Sequence, residues 1–357
     1  MNRLNILVLF GGQSSEHEVS LVSATNVLGL LNPDKYHVVK VGITKDGKWL
    51  RYEGAVERIK DGSWEKGEVA PVYLTPDATA GLLQVKDGKL EHIDVDVVFP
   101  VLHGKFGEDG TIQGLCTLAK IPFVGAGVMA SAVSMDKIMA KMIFRELEIP
   151  QADWMVIYKE ELAEMDTVLS KIEAKFSYPV FVKPANAGSS VGIGKSHNRN
   201  DLEKHLMEAA RHDRKILIEE FIFGREVECA VLGNIKPFPS ILGEIIPDKE
   251  FYDYEAKYES NSKLIIPAIL SQQKIDEIHE YAKRAFLGLD LRGMARIDFF
   301  VHKQTDCVYL NEVNTIPGFT DISMYPMLLG KSGYEGEALV DRLIELAIEE
   351  FSGIYES

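Results

Sequence analysis

The sequence predicts an α/β protein whose N-terminal part is an open parallel sheet, on three observations. Asn5–Phe10 is an unbroken apolar run, the pattern of a strand covered on both faces. Strands and helices then alternate, with a helix over Val19–Leu30 and further strands over Tyr36–Thr44 and Val95–Leu102. Polar loops, Gly11–Glu18 and His103–Gly110, follow the carboxyl ends of two of these strands, where open α/β sheets hold their ligands.

Neither loop reads GxGxxG, so a dinucleotide fingerprint is excluded. Glu16 and Glu18 are accounted for equally well by a helix start, where carboxylates complement the helix dipole. His103 and Glu108 fit a surface loop before a helix opened by Asp109 or Thr111. Taken singly, none of the four demands a functional reading.

A second segment begins near Gly125. Ser134–Leu147 has the spacing of an amphipathic helix with Asp136 and Lys137 in its first turn. Helix Asp201–Arg211 and strands Ile216–Glu219 and Glu226–Leu232 follow. Within Pro179–Lys195, the strand Val180–Val182 delivers Lys183, and Gly188–Gly192 is a loop of small residues. Its end resembles a Walker A loop, but Ser189 stands where the first glycine belongs and no helix follows at once. Such a flap still offers N–H groups and hydroxyls to phosphates, with charge from Lys183; a plain mobile loop is the alternative.

Phe251–Tyr258 (FYDYEAKY) carries four aromatic residues in eight, between polar flanks. A lid that excludes water fits this pattern better than a core strand, because Asp253, Glu255 and Lys257 interrupt the alternation. Leu339–Phe351 reads as a closing amphipathic helix.

Gly293–Gly318 reads as a β-hairpin: apolar runs Met294–Val301 and Val308–Val313 flank the polar stretch Lys303–Asp306. Arg296 and Asp298 share one face of the first strand, Glu312 and Asn314 one face of the second. A turn centred near Thr305 sets Asp298 opposite Glu312 and Arg296 opposite Asn314. Facing carboxylates destabilise a sheet unless a cation joins them, and two carboxylates with an amide oxygen suit magnesium shared with phosphates. A hairpin with one wet face would show the same alternation.

The chain has 357 residues, more than one core usually serves, so two or three domains are expected. A net charge of −15 without a Lys/Arg block argues against a nucleic-acid partner. Cys116, Cys229 and Cys307 are far apart, lie in or beside apolar runs and read as reduced core thiols. No stretch approaches a membrane span, and MNRLNILVLFGGQ lacks the features of a signal peptide, so a cytoplasmic protein is expected.

The stretches GGQSSEHEVS, LHGKFGEDGTIQG, SMDK, FVKPANAGSSVG, FYDYEAKY, RIDFF and NEVNTIPGFT, in this order from Gly11 to Pro326, resemble the D-alanine–D-alanine ligases of the ATP-grasp superfamily. The resemblance implies three domains, 1–125, 126–219 and 220–357, with ATP between the last two. It implies a D-alanyl phosphate intermediate, D-alanyl-D-alanine for peptidoglycan as product, and a homodimer.

The resemblance also implies site roles. Lys137, Lys183 and the Gly188–Gly192 loop with Ser190 would meet ATP phosphates. Glu219, Glu220, Phe221 and Ile222 would meet adenine, Glu226 the ribose, and Lys257 of the lid would also serve the nucleotide. Asp298, Glu312 and Asn314 would hold two magnesium ions, with manganese as a substitute. Glu16 would bind the first D-alanine's ammonium, linked through Ser189 to Tyr258, with His103 near its carboxylate. Arg296 and the N–H of Gly318 would form an oxyanion hole; Ser323 and the N–H of Met324 would bind the second carboxylate. Position 324 is often leucine in the family, a swap of similar volume.

Rival readings are a D-alanine–D-lactate ligase, whose lid lacks FYDYEAKY, a nucleotide-binding regulator without turnover, and a dehydrogenase. Arg296 beside the metal carboxylates speaks against the regulator, and the missing GxGxxG against the dehydrogenase.

Overall fold

The computed structural model describes residues 3–188, 191–246 and 263–355. Among them, sixteen strands form three sheets. The first sheet holds β1 (Leu4–Gly11), β2 (Tyr36–Ile43), β3 (Trp49–Tyr52), β4 (Val69–Leu74), β5 (Leu82–Lys86), β6 (Lys89–Ile93) and β7 (Val97–Val101), in the order β6-β5-β4-β3-β2-β1-β7. The three strands expected from sequence are β1, β2 and β7, and they do pair in parallel. The parallel expectation fails beyond them. From β2 outward the pairing is antiparallel: each strand returns beside the one before it, through short turns except at 53–68, which holds the helical turns Glu57–Lys60 and Ser63–Lys66.

The unbroken apolar run of β1 is explained by cover on both faces. Ile6, Val8 and Phe10 join a core with helix α1 (His17–Leu30) and with a C-terminal helix, Glu337–Tyr355; Leu7 and Leu9 face helix α2 (Thr111–Ala119). The alternation of strand side chains thus divides one run between two cores.

Next come α3 (Val128–Met135) and α4 (Lys137–Glu146), where one helix over Ser134–Leu147 was expected. Asp136 breaks it. Its backbone is extended, and its carboxylate accepts from the N–H groups of Ile138 and Met139 at 3.1 and 3.2 Å. An N-cap here outcompetes a continued helix.

The second sheet, β10-β9-β11-β8, is built from β8 (Trp154–Tyr158), β9 (Val180–Pro184), β10 (Gly194–Ser196) and β11 (Lys215–Glu220), all antiparallel. The third, β14-β13-β12-β15-β16, is also antiparallel. It contains β12 (Gly224–Gly233), β13 (Phe238–Ile246), β14 (Lys263–Ile265), β15 (Gly293–His302) and β16 (Val308–Asn314). The closing helix is longer than expected, Glu337–Tyr355. Of the three cysteines, Cys116 and Cys229 are buried free thiols, but Cys307 is exposed at the β15–β16 turn, not in a core.

Candidate active site

The hairpin has the register read from its sequence: Asp298 pairs with Glu312 and Arg296 with Asn314. A bulge between Asp298 and Phe299 shifts the pairing beyond, so that Phe299 faces Leu310 and Asn311 is the extra residue. The polar face is not simply wet. Arg296 is buried; its Nε and Nη2 donate to the two Asp298 oxygens at 2.8 and 2.7 Å, and Nε lies 3.0 Å from Glu228 Oε2. Asn314 Nδ2 donates to Asp298 at 3.0 Å. Burial acts to lower the guanidinium's pKa, but Asp298 and Glu228 outweigh it and hold it well above its ordinary range. Arg296 therefore stays charged.

A cleft of about 830 Å³ runs between the second and third sheets. It brings together Lys183, Glu219, Glu220, Phe221, Ile222, Glu226, Arg296, Asp298 and Glu312. Phe181 and Phe221 stand 6.2 Å apart in its wall, with the Lys195 ammonium 4.1 Å above the Phe221 ring.

Two smaller cavities lie against the same wall. One, of about 80 Å³, is lined by Glu16, His103, Arg296, Gly318, Ser323 and Met324 among others. The second, of similar size, is bordered by Glu16, Lys137, Gly188, Glu312 and Asn314. Arg296 therefore borders the cleft and the first cavity, Glu312 the cleft and the second.

Lys137 begins α4; its Nζ donates to the Ala187 carbonyl at 2.8 Å and stands 3.9 Å from Glu312. The Glu16 carboxylate is enclosed by backbone. A Cβ at Gly104 or at Gly188 would come within 2.5 Å of its Oε2, so both loops approach it only as glycine. His103 is buried. A carbonyl can only accept, so His103 Nδ1–H donates to Ile316 O at 2.9 Å, and Nε2 lies 3.1 Å from the Ser23 hydroxyl. Ser323 Oγ accepts from the Thr320 N–H at 3.0 Å, and Met324 is buried at the start of helix Met324–Gly330. Ser189, Ser190, Lys257 and Tyr258, with the whole of 251–258, lie outside the described residues.

Several residues here carried no functional reading from sequence. Glu108, taken singly as a loop residue, accepts from the N–H of Gly104 at 2.8 Å and of Ile316 at 2.9 Å, and so ties the first loop to the segment after β16. Glu228 supports Arg296; its signal was a carboxylate two residues beyond Glu226 inside an apolar strand. Lys141 is buried on α4 with its Nζ 2.6 Å from Glu219, whose other oxygen lies 2.6 Å from Lys183. Its signal was the four-residue spacing from Lys137.

The donor set suits a hard divalent cation. Among the described residues no three His, Cys, Asp or Glu side chains gather as a metal site. Two facing carboxylates and an amide still supply only oxygen donors besides the amide N–H group, and magnesium completes its shell with water and phosphate oxygens. With one such ion, the wall can neutralise phosphates on the cleft side and receive small charged molecules on the other.

Two family models match the chain: the D-ala D-ala ligase N-terminus over residues 5–126, and the D-ala D-ala ligase C-terminus over residues 143–345. A D-alanine–D-alanine ligase of Acetivibrio thermocellus is 53% identical over 367 residues, covering 98% of this chain and 97% of the relative. One from Thermoanaerobacter sp. is 51% identical over 351 residues, with 98% of each chain covered. Among solved structures, the VanG D-Ala:D-Ser ligase of Enterococcus faecalis superposes with a TM-score of 0.88 at 36% identity, over 97% of this chain and 100% of that one. The D-alanine–D-alanine ligase of Coxiella burnetii gives 0.85 at 35% identity, over 100% and 97%.

Proposed function

The chain belongs to the D-alanine–D-alanine ligase family, with the ATP-grasp fold, and we propose the following division of labour for its site. The enzyme joins two D-alanines to D-alanyl-D-alanine at the expense of ATP, for peptidoglycan synthesis. The single observation that supports the division is the shared wall. Arg296 and Glu312 each face the large cleft on one side and a small cavity on the other.

ATP occupies the cleft, gripped between the second and third of three domains (1–125, 126–219 and 220–357). Its adenine lies along Glu219–Ile222, its ribose at Glu226, and its phosphates at Lys137, Lys183 and the Gly188–Gly192 loop with Ser190. The Glu219 carboxylate is already engaged by two lysines, so the backbone and the side chains of residues 220–222 face the base. Lys257 would serve the nucleotide and Tyr258 the first D-alanine; both lie outside the described residues.

Asp298, Glu312 and Asn314 would hold the magnesium ions, two in number, with manganese as a substitute. Bound there, such ions neutralise charge on the transferring phosphoryl group.

A carboxylate resists attack by an amine because it is anionic and has no good leaving group. The γ-phosphoryl group passes to the carboxylate of the first D-alanine, held by Glu16 and by His103, and gives an acyl phosphate and ADP. The amine of the second D-alanine, its carboxylate at Ser323 and the N–H of Met324, attacks the acyl carbon after losing a proton. The tetrahedral oxyanion is met by Arg296 and the N–H of Gly318, and phosphate leaves as the peptide bond forms. Water would destroy the acyl phosphate, so the reaction needs a site closed to solvent.

No helix among the described residues is long and apolar enough to cross a membrane; we place the enzyme in the cytoplasm as a homodimer. A coupled assay of ADP release tests the reading: release should depend on D-alanine. ATP turnover indifferent to D-alanine would contradict it.

A further inference from the structure

Among the described residues, three charged side chains meet in one buried line behind the cleft. Lys141 Nζ lies 2.6 Å from one oxygen of Glu219, and Lys183 Nζ lies 2.6 Å from the other. The side chains of Lys141 and Glu219 are 3% and 4% exposed, that of Lys183 13%. Lys183 and Glu219 line the cleft; Lys141 stands behind them and does not.

Burying one carboxylate needs one cation, yet two are present. A lone Glu219–Lys183 pair would be neutral, and its ammonium would have little attraction left for a polyphosphate. We propose that Lys141 is a positioning residue for ATP: it neutralises Glu219 from behind and so leaves the Lys183 charge to the phosphates. The proposal rests on the nucleotide reading of the cleft given above.

The charge states agree with this. Burial acts to raise the Glu219 pKa, but Lys141 and Lys183 outweigh it and bring it down to about 2. Burial acts to lower the Lys183 pKa, but Glu219 first, and then Glu312 and Glu226, raise it. Lys141 shares Glu219 with Lys183, and so weakens the hold of that carboxylate on the Lys183 ammonium.

The test is a double-variant cycle on the full chain. ATP KM, D-alanine KM and kcat are measured for wild type, Lys141→Met, Glu219→Gln and the pair combined, with ATP affinity by calorimetry. Lys141→Met should raise ATP KM roughly tenfold, as for a weakened charge-assisted contact, and leave D-alanine KM unchanged. In the Glu219→Gln background, where no carboxylate needs neutralising, the same change should cost less than about threefold. Lys141→Arg should keep ATP KM within about threefold of wild type, because it keeps the charge.

Equal losses in both backgrounds would overturn the proposal, since a merely structural lysine is missed whatever residue 219 is. So would an unchanged ATP KM in Lys141→Met. If Lys141→Met alone does not fold, the comparison within the Glu219→Gln background decides: a loss above about tenfold there overturns the idea. A wild type that binds ATP but forms no ADP with D-alanine would overturn the functional reading alone, and the calorimetric cycle would still settle Lys141. A wild type that binds no ATP would overturn both.

Discussion

Asp298 and Glu312 stand directly opposite each other on antiparallel strands, two carboxylates paired where a sheet disfavours like charges. Arg296 answers Asp298 with two hydrogen bonds, and Lys137 approaches Glu312 at 3.9 Å.

Glu312→Gln follows from that geometry. A neutral amide is a poor ligand for a hard cation, so ADP release should fall at least about a hundredfold. The thermal midpoint should hold or rise, because one of two facing charges is gone. Near-normal turnover would show that Glu312 is not a ligand for an essential metal.

Arg296→Lys separates charge from shape. Lysine keeps the positive charge but cannot donate to both Asp298 oxygens and reach Glu228 as the guanidinium does. We expect kcat to drop roughly a hundredfold or more, the size seen when one oxyanion donor is lost, with ATP KM changed far less. An equal rise in ATP KM with kcat unaltered would move Arg296 from the reacting carbon to nucleotide binding.

Glu219 gives a pH signature. Its folded pKa is about 2 against an ordinary 4.5, so the folded state holds fewer protons there than the unfolded chain. The stabilisation is full above about 4.5 and is lost as pH falls toward 2. Wild type should therefore lose stability across that window more steeply than Glu219→Gln in urea unfolding. Parallel curves would mean that Glu219 is not held ionised.

The thiols divide by burial. Cys116 and Cys229 are buried, and burial pushes both thiols up to about 12; Cys307 is exposed. An aromatic disulfide reagent near neutral pH should titrate one thiol in the folded protein and three after unfolding. Three at once in the folded state would contradict the two buried positions.

What the sequence told, and what it withheld, follows from how each signal is encoded. The Asp298–Glu312 register was legible because strand alternation has a period of two and the turn is short. Strands β1 and β7 were legible because burial on both faces removes polar residues from the run. The antiparallel return through residues 44–93 was not, because short half-exposed strands such as Lys89–Ile93 carry no apolar pattern. The Asp136 break was hidden because an N-cap and a first-turn aspartate look alike in one dimension. Lys141 and Glu228 escaped notice because their partners, Glu219 and Arg296, are distant in sequence, and only packing shows that they are neighbours. Cys307 misled because it borders the apolar run of β16 while sitting in the turn itself.

The product is the most direct test of the central claim. The amine of D-alanine, the hydroxyl of D-lactate and the amine of D-serine are rival nucleophiles for the same acyl phosphate. The relatives at 53% and 51% identity are D-alanine–D-alanine ligases; among solved structures the D-Ala:D-Ser ligase is 36% identical and a D-alanine–D-alanine ligase 35%. The lid sequence FYDYEAKY, whose absence marks the D-alanine–D-lactate reading, is present at residues 251–258. The enzyme, ATP and magnesium are incubated near neutral pH with equal D-alanine, D-lactate and D-serine, and the products are weighed by mass spectrometry. The account predicts D-alanyl-D-alanine with almost no depsipeptide and little D-alanyl-D-serine; a mixture dominated by either rival product would contradict it.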